Sequence, residues 1–235
     1  MHVRTLRCLV ACLTAILLAG AAPHAREALR TAWTSSDDAA LREMIEGGKG
    51  RREAWQRAPD LVILEAVMDF TDNIAAGAVA TDAMLGQDDV TQLEADMTEA
   101  LATLTDGRTP SFASVTVEPV AAGQSVRLFR RGTVVVGRFA GVQERSGTLG
   151  FGGRTARDGV ITSGLVVLDH EFDSHSSRRR VLRMHELGHA LGYNHVESRP
   201  SVMNPRVGSD LTDFDRAAIA FANEQTAVLN ARLLQ

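Results

Sequence analysis

The chain has 235 residues, of which 45% are hydrophobic and 23% charged, the composition of one ordinary globular core with room for a small appendage. Its 25 basic and 29 acidic residues are scattered along the chain and give a formal net charge of -4, so composition makes no case for nucleic acid or an anionic membrane as partner. Both cysteines, Cys8 and Cys12, lie at the extreme N-terminus, which leaves the remainder without disulfide or thiolate chemistry.

Residues 1–25 read as a secretory signal: Arg4 and Arg7 precede an apolar run from Cys8 to Ala22, and Gly20, Ala21, Ala22 and Ala25 offer small residues for cleavage. An anchor is the competing reading, but about 15 apolar residues fall short of the roughly 20 that a spanning helix needs. Leu9-Val10-Ala11-Cys12 has the look of a lipid attachment site, with too few residues ahead of it for a usual signal. The expectation is an exported protein, extracellular or periplasmic, with no stable membrane insertion once the signal is removed.

Residues 26–58 are polar and read as an N-terminal extension or propeptide, with a short helix from about Asp37 to Glu46 stopped by Gly47, Gly48 and Gly50. The main domain is placed at 59–235. Leu61–Phe70 is apolar enough for a buried strand. Val90, Leu93, Met97, Leu101 and Leu104 recur every three or four residues and predict an amphipathic helix that stops before Gly107. Phe112–Val117, Thr133–Phe139, Thr148–Phe151 and Val160–Leu168 are β-rich runs divided by glycine-containing turns. The fold class is therefore mixed α/β, of α+β type.

The chemistry concentrates at His185-Glu186-Leu187-Gly188-His189-Ala190-Leu191-Gly192-Tyr193-Asn194-His195, a pattern whose chance occurrence is on the order of 10⁻⁵. Residues four apart share a helix face, so His185 and His189 can aim at one metal ion. His195 could not join them on a continuing helix, which would carry it roughly 9 Å along the axis. Gly192 is the residue at which the helix can end with positive φ and turn His195 back. Met184, Leu187 and Leu191 form an apolar stripe opposite the two histidines, which would then face a cleft. Three neutral ligands leave zinc a fourth position for water, and Glu186, next to the first ligand, is placed to act as general base.

This extended motif resembles that of the metzincin zinc proteases, and Ser201-Val202-Met203-Asn204-Pro205 resembles their Met-turn. The short spacing to Met203, and Leu211–Arg216 opening a final helix, are most similar to matrixins and their bacterial relatives. Thr212 and Asp215 fit a helix-capping pair. The resemblance implies a zincin fold: a twisted, mostly parallel sheet, a zinc-binding helix and a C-terminal helix. It implies one catalytic Zn2+ on His185, His189 and His195, Glu186 as catalytic base, and Met203 as a support that does not bind the metal. The substrate would be a peptide or protein, paired along an edge strand for which Thr148–Phe151 is the candidate.

Two departures limit what is carried over. Astacin-like and serralysin-like members have a tyrosine two residues after the Met-turn methionine, where this chain has Pro205. Vertebrate matrixins are kept latent by a propeptide cysteine, and none is present after residue 25, so inhibition by residues 26–58 would need another ligand such as a carboxylate. Asp169, His170, Glu171, Asp173 and His175 lie where matrixins use loops for structural Ca2+ or a second zinc. Their spacing matches no such pattern, and a solvated acidic loop is expected with no metal assigned. Arg178, Arg179, Arg180 and Arg183 are likewise read as a solvated, charged helix start. A zinc-binding scaffold without turnover is the reading that competes with the protease, and Glu186 speaks against it because a structural site needs no base. Side-chain preference and oligomeric state have no signature in the sequence.

Overall fold

The computed structural model describes residues 35–71, 77–206 and 210–233, so residues 1–25, expected to be a secretory signal, lie outside the described residues. The chain divides into two compact units, Met1–Ala39 and Ala40–Gln235. The unit that holds the histidines thus begins at Ala40, ahead of the boundary expected at Pro59. Helix α1 (Ser35–Glu46) shows why: its Ala40, Leu41, Met44 and Ile45 are buried, a stripe too apolar to face water. A short 3₁₀ turn, Gly47–Lys49, follows it and is closed by Gly50 at φ 63°.

The expected strand over Leu61–Phe70 is two strands, β1 (Asp60–Leu64) and β2 (Ala66–Phe70), parted at Glu65. The Glu65 N–H donates to Glu118 O and its carbonyl accepts from the Leu85 N–H, so the backbone at the break is satisfied from both sides. Strand β3 (Ala78–Met84) pairs antiparallel with β2 and was not legible, because its two buried residues, Ala78 and Ala80, carry almost no hydrophobic signal. Helix α2 (Gln87–Leu104) buries the predicted stripe. Then come β4 (Val115–Glu118), the two-residue β5 (Ser125–Val126), and β6 (Thr133–Phe139), every residue of which is buried.

Strand β6 is central. It runs parallel to β1 on one side and to β8 (Val160–Asp169) on the other, and β1 in turn pairs parallel with β4. Strand β7 (Gly150–Arg157) lies antiparallel to β8 and has no other strand partner among the described residues. It contains the second half of the expected edge segment and extends well beyond it. The result is a mixed α/β fold with a curled, mostly parallel sheet and several helices, compatible with the α+β class.

Short helices α3 (Val142–Ser146) and α4 (His170–His175) flank β8, and α5 (Arg179–Ala190) packs on β7, β8 and α2. The last helix, α6 (Asp213–Leu233), opens on the capping pair: the Asp215 N–H donates to Thr212 Oγ1 at 3.2 Å and the Thr212 N–H to Asp215 Oδ2 at 2.8 Å.

The cluster before α5 is a solvated acidic loop only in part: it forms α4, on which Glu171 and His175 are exposed while Asp169 and Asp173 are buried. Asp169 caps α4 through the Phe172 N–H and also accepts from the Gln143 N–H. Asp173 is fully buried between Arg138 Nε at 2.6 Å and Arg183 Nε and Nη2 at 2.8 and 2.7 Å, and Arg183 Nη1 reaches Asp96 Oδ2 at 2.6 Å. Arg183 therefore leaves the solvated helix start to which the sequence assigned it, whereas Arg178 and Arg180 are exposed. Charge pairing along β6, α4, α5 and α2 fixes the helix that carries the histidines. Burial works against the Arg183 charge, but Asp173 and Asp96 more than compensate, so its pKa is raised. Removing one partner of such a network strands the others: Asp173→Ala should cost about 3–5 kcal/mol of stability in denaturant unfolding, against about 1 kcal/mol or less for truncating the exposed Glu171.

Candidate metal centre

Helix α5 ends where the sequence demands. Gly192 adopts φ +102°, its N–H donates to His189 O at 3.1 Å, and the Tyr193 N–H donates to Gly188 O at 2.9 Å, the two bonds of a Schellman cap. A side chain at Gly192 is excluded by a second constraint as well, since a Cβ there would lie 2.1 Å from Glu53 O. The reversal returns His195 to the helix face that bears His185 and His189.

The three Nε2 atoms form a triangle with edges of 3.0, 3.1 and 3.3 Å. Each anchored ring is oriented from behind: His185 Nδ1–H donates to Val202 O at 2.7 Å and His189 Nδ1–H to Tyr193 O at 3.0 Å. That leaves the Nε2 lone pairs of both rings directed at the common point. Burial drives the pKa of His185 down to about 4 and that of His189 down to about 3, with the neighbouring imidazoles adding repulsion; the more exposed His195 is also lowered by loss of solvent around its ring. Neutral imidazoles are the form a cation needs. Tetrahedral zinc with Zn–N bonds of about 2.0–2.1 Å calls for N···N separations of roughly 3.3–3.4 Å, so the observed triangle needs only a few tenths of an ångström of expansion to fit it. Among the described residues these three histidines form the group that could hold a metal ion.

The Ser201–Met203 segment supports the first of the three histidines. Asp215 Oδ2 accepts from the Val202 N–H at 2.9 Å and Asp215 Oδ1 from Ser201 Oγ at 2.5 Å, while Val202 O holds the His185 ring. One carboxylate therefore caps α6 and orients a ligand at once. Met203 is fully buried beside α5, and a Cβ on Gly188 would come within 2.6 Å of its sulfur, so the glycine lets turn and helix touch.

Glu186 is only 4% exposed, and its Oε2 has no partner. Burial raises its pKa to about 8, partly opposed by a hydrogen bond from the Gly152 backbone. Strand β7 crosses the helix at contact distance because its residues lack side chains there: a Cβ on Gly152 would lie 2.0 Å from Glu186 O, and one on Gly150 would lie 3.2 Å from Glu186 Oε1. A cleft of about 460 Å³ opens over the site, lined by residues 147–152, Glu186, the three histidines and Pro205. Tyr193 is turned away from it, fully buried with its hydroxyl donating to Leu104 O at 2.7 Å.

Several supporting residues escaped the sequence reading. Arg154 donates to His189 O at 3.0 Å and to Asn194 Oδ1 at 3.0 Å, and pairs with Glu53 at 2.8 Å. Burial works against the Glu53 carboxylate, yet Lys49 and Arg154 hold it below the ordinary range. The stretch expected to be an appendage clasps the same reversal. Trp55 Nε1–H donates to Ala190 O at 3.0 Å, Arg52 Nη1–H to Gly192 O at 3.1 Å, and the Asn194 N–H to Met44 O at 2.8 Å. Only the glycines of Gly150-Phe151-Gly152-Gly153 signalled any of this, as a run unusual inside a strand.

No protein-family model matches the chain and no curated protein matches it.

Two outcomes follow. Asp215→Asn weakens the acceptor that holds the Val202 peptide and should lower zinc affinity about 10–100-fold in competition with a chromophoric chelator, with the α6 helix retained by circular dichroism. In metal-free protein, a carboxyl raised from 4.5 to about 8 is protonated when folded and ionised when unfolded, so it takes stability away as pH rises through that window. Metal-free Glu186→Gln should therefore gain on wild type from pH 4.5 towards pH 8, by at most about 1.4 kcal/mol per pH unit, and the two should converge below pH 4.5.

Proposed function

We propose that the protein is an exported zinc-dependent endopeptidase of metzincin type, most similar to matrixins, acting on peptide or protein substrates. The observation that carries this reading is a single juxtaposition. Three neutral imidazoles converge within 3.3 Å of one another on the floor of a cleft, beside a buried carboxylate with an oxygen committed to nothing. A site meant only to hold a metal would use a fourth protein ligand and would have no need of that carboxylate.

His185, His189 and His195 would hold the zinc, which supplies Lewis acidity that polarises a scissile carbonyl and lowers the pKa of water to about 7. Glu186 accepts the proton of the attacking water at its carboxylate and returns it to the nitrogen of the departing amine. Burial, which raises its pKa, favours delivery of the proton, and the positive charge of a bound metal ion would lower that pKa and so favour the carboxylate form that accepts it. Strand β7 supports an extended substrate. Its Gly150–Gly152 segment lines the cleft and pairs with β8 alone, so a peptide could add to the sheet by main-chain hydrogen bonds. Met203 packs behind the ligands and takes no part in proton transfer. Export rests on the Arg4–Ala25 pattern, and no described helix is long and apolar enough to cross a membrane.

The test is hydrolysis of unfolded casein or a quenched peptide library. A chelator should abolish cleavage and stoichiometric zinc should restore it. Glu186→Ala should retain the metal and lose about 10²–10⁴-fold in kcat, the span of a general base. Undiminished turnover in Glu186→Ala would remove the proposed base, and zinc binding with no cleavage in either protein would favour a scaffold.

A further inference from the structure

A second cavity, of about 170 Å³, shares no lining residue with the metal cleft. It lies between the 52–59 segment, the C-terminal half of α2, and α6. Ala54, Pro59, Leu101, Leu104 and Leu191 supply apolar wall, and three arginines, Arg52, Arg57 and Arg108, line it with no carboxylate among the lining residues. Arg57 and Arg108 are exposed at its mouth, whereas Arg52 is 8% exposed.

Arg52 is the unusual group. Its guanidinium lies 4.5 Å from the centre of the Tyr193 ring and gives one hydrogen bond to Gly192 O, while its Nε has no acceptor. The adjacent carboxylate, Glu53, is committed to Lys49 and Arg154. Burial lowers the Arg52 pKa and the Arg154 charge adds to that, with Tyr193 and Glu53 offsetting it in part. A buried cation with no carboxylate bonded to it is costly.

We infer that this cavity is a binding site for a monoanionic carboxylate with an apolar body, its head paired with the Arg52 guanidinium and its tail against Leu101, Leu104 and Leu191. Guanidinium pairs carboxylates through N–H···O bonds, and Arg52 lines the cavity while giving a single hydrogen bond of its own, from Nη1 to Gly192 O. A phosphate would need the exposed Arg57 and Arg108 guanidiniums as well, where water competes, whereas a single guanidinium matches a carboxylate. Several other polar lining groups are already used: Trp55 Nε1 by Ala190 O, Thr105 Oγ1 by Leu101 O, and Asn223 Nδ2 by Ile219 O. Arg57 and Arg108 add long-range attraction that salt screens. Two sources share this chemistry, a free small acid and the C-terminal carboxylate of a peptide. The inference does not depend on the protease reading.

The site can be tested on the ¹⁵N-labelled full chain by following the Trp55 indole N–H, assigned with Trp33→Phe, during titration with N-acetyl-leucine, its amide, and a tetrapeptide ending in a free leucine carboxylate. The acid should give a saturable shift, with the amide weaker by roughly tenfold or more. Arg52→Met should abolish saturation. Because Arg52 also holds Gly192 O, Thr226→Phe, which fills the cavity from α6 and leaves the arginine intact, should abolish it too. Tighter binding of the tetrapeptide would identify a peptide terminus as the ligand, and tighter binding of N-acetyl-leucine a small acid. Equal response to acid and amide, no saturable shift with any probe, or undiminished binding in a folded Arg52→Met or Thr226→Phe would overturn the assignment.

Discussion

The reversal of the chain at Gly192 is the constraint on which the rest of the site depends. A helix supplies two ligands at a spacing of four residues and cannot supply a third from the same segment at the distance of His195. Only a left-handed residue followed by the Schellman bonds turns the backbone sharply enough. The turn is also used twice more, since Tyr193 O orients the His189 ring and Gly192 O receives Arg52. Because that backbone carries so many roles, the protein encloses it from three directions: the Met44–Trp55 stretch, Arg154 from β7, and Val196 paired with Met203.

Close approach of backbones is the second theme. Gly150, Gly152, Gly188 and Gly192 each stand where a Cβ would meet another chain segment within about the radius of an atom. Removing those side chains lets β7, the Met-turn and the 53–54 segment all touch the motif helix directly. A sheet edge, a helix and two loops thereby form one small site, in which burial keeps the imidazoles neutral and the carboxyl of Glu186 protonated up to about pH 8 in the absence of metal.

Charge burial deep in the fold serves a different end. Asp173 is held by two arginines and Asp96 by one of the same pair, so α5 is tied to β6, α4 and α2 at its N-terminal half. The sequence shows these groups only as an acidic run and an arginine run, which polar surface would also produce. Nothing local separates the two cases, because the pairing of Arg183 with Asp96 links residues 87 apart in the chain.

What the sequence by itself determined is the set of features that short-range geometry controls: the amphipathic stripe of α2, the β6 strand at Thr133–Phe139, the His185–His189 face, the break at Gly192 and the cap at Thr212–Asp215. Each follows from periodicity or dihedral preference within a few residues. Tertiary structure alone decided that residues 40–58 belong to the unit holding the histidines, that Asp173 is buried, that Asp215 positions His185 through Val202, and that Arg52 faces a cavity without a carboxylate. Those depend on which distant segments meet, and a side chain's charge and polarity do not specify its partner until packing removes the water around it.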